Sequence, residues 1–507
     1  MDEPDHGLSP DEPFKTIQYA VGSVTRLRPT PEILTTINVA AGTYGEAVFI
    51  NKKLIWLKGE GKSNTFLTNG GGQDIVTIDG ARGIVISGFT VQNGYRGIYG
   101  KRGAAFEVRD LVVRDTGNRG IQIDENATAQ IADCTVQNCG FDGIGALRNS
   151  NVTFFGNVTS DGNKNRGIFI FITSSGLLFP ESTVFATGNK DRGIHVGDNS
   201  SLFLYTGTIE TAENGNDGIG VFGSSRLNIN FGSMVTCERN SDGLAVGESS
   251  SLWVSNDSTV ETINNPGDGM QLIKNAQTDV RGILTIKSNG RYGVLCIESS
   301  SARFDGITLI EGNGTAPSMH SAVHVSRSSF ARFNGETNII NNHQNGLGIL
   351  KGSSVELERG SRIIIDNNAT DGIHIAINSQ LSSIIPGPPP TYIQISNNGN
   401  VGVNVGQSSS CTFGGGEVSI NGNNLFGMNV GNNSQISLDT VSVTGNGWDG
   451  ISVDDSTADI KNSTVTGNGG TDINASFGSR LTLNGNSIGS IICDGTVLSR
   501  GSTLCPP

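Results

Sequence analysis

The chain has 507 residues, of which 71 are glycine, and its charged fraction of 16% lies well below the roughly 25% of ordinary soluble proteins. A formal net charge of −13 argues against nucleic-acid binding, and no apolar run approaches the ~18 residues of a membrane span. A glycine-rich chain that is still 35% hydrophobic is typical of many short strands joined by tight turns.

Residues 1–30 predict an N-terminal cap. Asp11, Glu12 and Pro13 precede apolar residues at helical spacing, which predicts a short amphipathic helix with proline in its first turn. The start of the chain has no basic or apolar signal segment. We expect an exported protein (secreted, periplasmic or at the cell surface) whose signal peptide is missing from this sequence; a cytosolic protein is the alternative. Residues 31–95 are predicted to form less regular first coils.

Residues 96–490 repeat one cassette sixteen times, about every 25 residues. Each cassette has an anchor, usually glycine, that is followed by an aliphatic residue. Seven residues after the anchor the side chain is always small, and four residues before it twelve of sixteen are Asn. Such a period predicts a solenoid. The anchors are Gly97, Gly120, Gly143, Gly167, Gly193, Gly218, Gly243, Gly269, Gly293, Ala322, Gly346, Gly372, Gly402, Gly427, Gly450 and Asp472.

Apolar and polar residues alternate around each anchor, as in strands with one buried face. Three such strands fit into one repeat, so we predict an all-β, single-stranded right-handed parallel β-helix of about 16–18 coils. The Asn row is expected to form a turn ladder because Asn tolerates left-handed backbone, and the small residues and glycines to relieve tight corners.

Two long repeats and the C-terminus depart from this pattern. The longer one carries Pro386-Gly387-Pro388-Pro389-Pro390, which predicts a loop bulging from the shaft. Residues 491–507 are expected to form a C-terminal cap. There, Cys493 and Cys505 could form a disulfide in an oxidising compartment; the alternative is unpaired cysteines that pack as small hydrophobes.

The segments PFKTIQYAV (Pro13–Val21) and INVAAGTYGEAVFINKKLIWLKGEG (Ile37–Gly61) resemble the opening segment of right-handed parallel β-helix proteins of the pectate-lyase-like superfamily. The Asn-x-x-x-Gly-Ile cassettes are similar to the carbohydrate-binding and sugar-hydrolase type of β-helix repeat, which is also found in NosD-like proteins. The resemblance implies the fold. Because the chain has no pectin methylesterase, polygalacturonase or epimerase signature, it implies no particular activity.

The position before each anchor, here called the pre-anchor row, is charged in eight successive repeats. We predict that Asp217, Asp242 and Asp268 bind calcium, because three stacked carboxylates repel unless a cation or a shifted pKa relieves them. Arg166, Arg192 and the nearby His195 are the catalytic candidates for moving the proton next to a sugar carboxylate. The alternative is that Asp-Gly is ordinary turn chemistry and that the Arg and Asp side chains pair.

Two further sets complete the candidates. A second metal or acid–base site uses histidines near the anchors of three consecutive repeats; solvated histidines are the alternative. Outward aromatic rings suit stacking on sugars, although Phe171 and Phe222 could instead pack under a loop. The second metal set is His320, His324, His343, His374 and Asp371, and the substrate-binding set is Tyr99, Phe169, Phe171, Phe222 and Gln271.

Two hypotheses from different classes follow. In the first, an exported protein binds an extended, acidic polysaccharide and, if it is an enzyme, processes it as a lyase, epimerase or hydrolase. In the second, the protein is a non-catalytic structural or adhesive solenoid. Calcium is the one cofactor expected, nucleic acid is not expected as a partner, and the sequence leaves the oligomeric state open.

Overall fold

A computed structural model describes residues 6–27, 34–315, 321–384, 390–503 and 505. His320 and positions 386–389 of the predicted proline-rich loop lie outside the described residues. The chain divides into two compact units, Met1–Ser241 and Asp242–Pro507, which are described separately below.

The predicted N-terminal helix spans Ile17–Leu27. Pro13 therefore lies before the helix, and the prediction that it occupies the first turn is wrong, because Thr16 accepts a hydrogen bond from the backbone of Tyr19 as an N-cap does. The Glu46 carboxylate also accepts the first helical N–H groups, at 2.9 Å each. The apolar face of the helix is buried, and it packs on the strands of the first coil.

The first unit consists of three parallel sheets, each built from one strand per coil. The first sheet contains Thr35–Val39, Ile55–Gly59, Arg82–Ser87, Ala105–Arg109, Thr128–Ala132, Asn151–Phe155, Ser175–Leu178, Ser201–Tyr205 and Arg226–Asn230. The second contains Gly42–Gly45, Thr65–Thr68, Thr90–Gln92, Val112–Arg114, Thr135–Gln137, Asn157–Asp161, Thr183–Thr187, Thr208–Ala212 and Met234–Glu238. The third contains Val48–Ile50, Val76–Asp79, Ile98–Lys101, Ile121–Ile123, Ile144–Leu147, Ile168–Phe171, Ile194–Gly197 and Asp217–Val221.

The second unit repeats this plan, and its sheets are named by the same positions in the repeat. Its first sheet contains Ser251–Val254, Gln277–Val280, Ser301–Phe304, Phe330–Phe333, Ser354–Leu357, Gln380–Ile384, Ser410–Gly414, Gln435–Asp439, Thr457–Lys461, Arg480–Asn484 and Leu498–Gly501. The second contains Thr259–Ile263, Ile283–Lys287, Ile307–Glu311, Glu336–Ile340, Arg362–Asp366, Thr391–Ser396, Gly416–Asn421, Val441–Thr444, Thr464–Thr466 and Ser487–Ile488. The third contains Asp242–Gly247, Met270–Ile273, Val294–Ile297, Ser321–Ser326, Asn345–Leu350, Ile373–Ala376, Val403–Val405, Met428–Val430, Ile451–Asp454, Ile473–Ser476 and Ile491–Cys493.

Equivalent positions of successive cassettes lie side by side within each unit. Ile144 pairs with Ile168, which pairs with Ile194, so the aliphatic residues after the anchors form a continuous buried row. The predicted all-β parallel β-helix is confirmed, with about 18 turns in total.

The Asn row forms the predicted ladder inside each unit. The side chain of Asn214, for example, accepts the backbone and side-chain N–H groups of Asn189 at 3.0 and 2.9 Å. The expected reason holds for Asn93, whose φ is 60°, but it is wrong for the buried ladder, in which the preceding residue, such as Glu213 or Asn264, has the left-handed backbone. The buried Asn side chains instead form hydrogen bonds with backbone N–H and C=O groups that have no partner in a sheet where the chain turns.

The small residues and the anchors have different roles. Ser174 donates its backbone N–H to the Oγ of Ser200, so the serines form a second hydrogen-bonded ladder, which was not predicted. Most of the anchors are glycines for a steric reason, because a Cβ on Gly193 would lie 2.7 Å from the carbonyl oxygen of Gly218. Glycine is therefore needed where adjacent coils approach most closely.

The C-terminal residues still form strands on the preceding coil. Strand Leu498–Gly501 pairs with Arg480–Asn484, and a disulfide joins Cys493 to Cys505 with a Cα–Cα distance of 5.8 Å. The five remaining cysteines are buried thiols that take part in no disulfide, and burial raises the pKa of Cys296 to about 12.

Candidate functional site

The outward face of the third sheet in the first unit carries a row of arginines at the pre-anchor positions. Each uses its Nε to bind one carboxylate, and their side chains are only 15–21% exposed. The alternative prediction, that Arg and Asp side chains pair, is therefore confirmed in this unit. The pairs are Arg96 with Asp74 (2.7 Å), Arg119 with Asp142 (2.8 Å), Arg166 with Asp191 (3.3 Å) and Arg192 with Asp217 (2.5 Å).

The pre-anchor aspartates have a second, repeated role. The buried Asp142 carboxylate accepts the backbone N–H of Arg166, which occupies the same position one coil later, at 3.3 Å. Asp268 does the same with Tyr292 at 3.1 Å. The same contact joins Asp242 to Asp268 (2.6 Å), Asp371 to Val401 (3.3 Å) and Asp449 to Thr471 (2.7 Å). These carboxylates tie one coil to the next.

His195 lies in the outward row of the third sheet, as predicted, but it is packed between aromatic rings. Its ring centroid is 5.3 Å from that of Phe169 and 5.9 Å from that of Phe222. Its Nδ1 lies 3.2 Å from Nη1 of Arg192. Burial, together with the charges of Arg192 and Arg166, lowers the pKa of His195 to about 3. The imidazole is therefore neutral at neutral pH, and it is a weak base.

The predicted row of exposed aromatic rings is wrong for two of its members. Tyr99 and Phe169 are each only 6% exposed, because an arginine covers each ring. The guanidinium carbon lies 3.6 Å from the ring centroid for Arg96 over Tyr99 and 3.9 Å for Arg166 over Phe169. Phe171 and Phe222 are half-buried, and they pack around His195 rather than under a loop. In the first unit, then, this face is a layer of alternating guanidinium groups and rings.

The third sheet of the second unit carries a cluster of four titratable side chains and one amide, here called the acid–base cluster: Asp268, Gln271, Arg291, Tyr292 and His324. Asp268 accepts a hydrogen bond from Nε2 of Gln271 at 2.9 Å and lies 3.6 Å from Nε of Arg291. Burial raises the pKa of Asp268 to about 6. Burial and the Asp268 charge also raise the pKa of Tyr292, whose ring centroid is 4.9 Å from that of His324. An acid, a cation and an imidazole thus meet on one face.

Among the described residues, His324, His343 and His374 do not come together as a metal site. His324 and His374 share one row with Gly348 between them, as predicted. His374 places Nδ1 3.1 Å from Oδ2 of Asp371, while His343 is exposed in a turn. His320 lies outside the described residues.

Within the described ranges, no three His, Cys, Asp or Glu side chains are placed to hold a metal ion. Of the predicted calcium ligands, Asp217 belongs to the first unit, and Asp242 and Asp268 belong to the second. Calcium binding stays a prediction. The part of the chain that the structure describes also has no helix of the length and apolar character that a membrane span requires.

A family model described as "Right handed beta helix region" matches residues 54–209. It covers a stretch of the first unit in which the parallel coils are fully formed. In its fold, the chain is a right-handed parallel β-helix. No curated protein matches its sequence.

Solved structures of similar fold include three enzyme domains. An A-module of the mannuronan C-5 epimerase of Azotobacter vinelandii is 14% identical, with a TM-score of 0.35, over 74% of this chain and 90% of that one. The catalytic domain of a GH87 alpha-1,3-glucanase, in complex with nigerose, is 13% identical with a TM-score of 0.26, over 99% of this chain and 68% of that one. A PL6 family alginate lyase is 10% identical with a TM-score of 0.22, over 96% of this chain and 97% of that one. These similarities concern the fold alone.

Sequence reasoning missed two members of the acid–base cluster, Arg291 and Tyr292. The signal was available, since Tyr292 is the next member of the pre-anchor row after Asp268. The run of charged residues ends at Asp268, so charge alone does not mark the neutral but titratable phenol of Tyr292.

Proposed function

We propose that the protein binds an extended, acidic polysaccharide along the arginine row of its first unit. The supporting observation is that Arg96, Arg119, Arg166 and Arg192 lie along one face within five coils, each held by a carboxylate on its Nε. A guanidinium has five N–H donors, so donors remain for the carboxylates of a uronic-acid chain. The ion pairs hold the arginines in place before the polymer arrives, which lowers the entropy lost on binding.

The distribution of charge favours the first unit over the second. Residues 1–241 contain 21 Lys and Arg against 25 Asp and Glu, a net charge of −4, whereas residues 242–507 contain 13 against 22, a net charge of −9. A polyanion is repelled less by the first unit, so the arginine row is the better place for it.

Binding is tested by calorimetric titration with polygalacturonate, alginate and hyaluronate, with calcium and with a chelator. Replacing both Arg166 and Arg192 by Gln is expected to weaken binding about tenfold or more, because two charge-assisted contacts are lost. The matched control is Arg239→Gln, an exposed arginine of the same unit that pairs with Glu213 instead. The proposal fails if none of the acidic polymers binds, or if the control variant weakens binding equally.

Processing is a separate proposal. An acidic polysaccharide that binds at the second unit would react at its acid–base cluster rather than at His195 of the first unit, whose pKa of about 3 is poorly matched to proton abstraction at neutral pH. A lyase or epimerase removes the proton next to the sugar carboxylate. Arg291 would neutralise that carboxylate, or the protonated form of Asp268 would donate a hydrogen bond to it, and His324 would take the proton. In a lyase reaction, the electron pair then forms the new double bond and expels the glycosidic oxygen, which takes a proton from the Tyr292 phenol, because the raised pKa of Tyr292 keeps it protonated.

Processing is tested by the absorbance of unsaturated uronides and by NMR of the uronate composition after incubation. Asp268→Asn, Tyr292→Phe and His324→Ala should each lower the rate at least a hundredfold if these groups move protons. The exposed His343→Ala serves as control. Binding without any product would instead support the non-catalytic solenoid and would remove the enzyme hypothesis.

A further inference from the structure

A second surface of the first unit carries a strip of exposed aromatic rings on the outward face of the first sheet. The members of this aromatic strip are Phe155, Phe179, Phe203, Tyr205 and Phe231. Four of them are among the more exposed large side chains: Phe179 is 44%, Phe203 40%, Tyr205 48% and Phe231 52% exposed. The strip shares no residue with the arginine row or with the acid–base cluster.

The register of the first sheet places these five rings on four successive coils, with Phe203 and Tyr205 on the same strand. Phe154 pairs with Leu178 and Leu178 with Leu204, so Phe155, Phe179 and Tyr205, which follow them, stand in one line. Phe231 follows one coil later, directly after strand Arg226–Asn230. The ring centroids of Phe155 and Phe179 are 4.8 Å apart, and those of Tyr205 and Phe231 are 4.4 Å apart. At about 4.8 Å per coil, the line is about 14 Å long.

The strands that carry the strip are polar but almost free of charge, and the charge beside the strip in the adjoining turn is acidic. Glu181 lies two residues after Phe179, and its backbone N–H donates to the carbonyl oxygen of Thr206, next to Tyr205. The other outward residues on these four strands carry hydroxyl, amide or aliphatic groups, and Arg226 at one corner is the exception among them. They are Asn151, Thr153, Ser175, Leu177, Ser201, Arg226, Asn228 and Asn230. A contiguous exposed apolar patch of this kind commonly marks an interaction site.

We propose that the aromatic strip binds an uncharged polysaccharide by stacking its sugar rings on Phe179, Phe203 and Tyr205. A pyranose has C–H faces that suit an aromatic ring, and its rim of hydroxyl groups suits flanking Ser, Thr and Asn side chains. The line of rings runs from coil to coil, as a linear glycan would. This inference does not rest on the proposed function, because it concerns another surface and another class of polymer.

Charge decides against two other polymers. An acidic polysaccharide or a nucleic acid would bring a negative charge on each repeat, and the strip offers a cation only at Arg226. A second copy of the chain is a different occupant, and the experiment below separates it from a glycan.

The test is calorimetric titration of the full chain with soluble uncharged polysaccharides: a β-1,3-glucan, a xyloglucan and a galactomannan. We expect at least one to bind, and Phe179→Ala combined with Tyr205→Ala to weaken it tenfold or more, as is usual for central aromatic contacts. The matched control is Phe477→Ala, which removes a ring that is 72% exposed in the second unit and should leave binding unchanged. Circular dichroism melting checks that the variants stay folded.

Three results would overturn the proposal. The first is that none of the three polysaccharides binds the wild-type chain. The second is that Phe179→Ala with Tyr205→Ala binds as tightly as the wild type. The third is that sedimentation shows self-association of the wild type, and that the same variant abolishes this self-association but still binds the glycan. The strip would then be an interface between copies of the chain. Failure of the arginine variants to affect acidic polymers would leave this proposal standing.

Discussion

At the scale of single residues, the charged side chains of the third sheet serve the stacking of coils as well as any ligand. Asp142 and Asp268 each accept a backbone N–H from the next coil while they also contact an arginine. The position of each charge could be predicted from the repeat. Its burial could not, because the pattern does not show which neighbour covers it.

The first prediction concerns His195. Its pKa of about 3 means that the folded chain resists protonation of this ring, because desolvation and two arginines disfavour a positive charge. The stability that the neutral ring contributes is present above pH 6.5 and is lost as the pH falls from there toward 3. In an NMR titration from pH 8 to 4, its ring resonances should stay unchanged. A midpoint near pH 6.5 would contradict the burial described above.

The second prediction concerns Asp268, whose folded-state pKa of about 6 lies above its ordinary value of 3.8. The folded state keeps this proton to a higher pH than the unfolded state, so its contribution to stability is complete below about pH 3.8 and is lost as pH rises through 6. The melting temperature of the wild type should therefore fall relative to that of Asp268→Asn between pH 4 and 7. A constant difference would show that the carboxyl is not buried as described.

At the scale of the element, each coil is held by its strands and by two side-chain ladders, of Asn and of Ser. The Asn ladder follows from the sequence, since Asn recurs at one offset. The serine ladder does not, because a small residue at a corner is explained equally well by sterics alone. The structure adds that Ser174 and Ser200 are joined by a hydrogen bond.

The third prediction tests the Asn ladder. Asn214→Ala would leave two buried N–H donors of Asn189 without an acceptor and would remove two bonds that Asn214 donates. The free energy of unfolding should fall by about 2 kcal/mol or more, since each orphaned buried group costs about 1–3 kcal/mol. Urea denaturation measures the loss. The exposed Asn157→Ala serves as control and should stay within about 0.5 kcal/mol of the wild type.

The fourth prediction separates two kinds of glycine. Gly193→Ala should destabilise the chain by about 1–3 kcal/mol, because the new methyl group meets a backbone oxygen at 2.7 Å. Gly22→Ala should instead stabilise it by about 0.5–1 kcal/mol, since Gly22 lies inside a helix with nothing within 4 Å of the new Cβ. Equal effects in thermal melting would show that the anchors do not mark close approaches between coils.

At the scale of the whole molecule, the fold was predictable because the same cassette recurs and only stacking can bury its aliphatic rows. For the candidate sites, the sequence predicts which residues share a row along the coils, but not which side chains of that row are covered. Tyr99 and Phe169 fall in the predicted outward row, yet arginines from the pre-anchor row cover them, and no period in the sequence reports such a contact. The aromatic strip does not follow from the repeat, because its rings, such as Phe179 and Phe231, lie at strand ends outside the cassette.

The central claim is that an acidic polysaccharide lies along the arginine row. Hydrogen–deuterium exchange, measured with and without polygalacturonate, tests it most directly. The account predicts slower exchange in the third-sheet segments 96–101, 119–123, 166–171 and 192–197, and little change in the first-sheet strands of the same unit. Slower exchange centred on the first sheet, or none under conditions in which the polymer is bound, would contradict it.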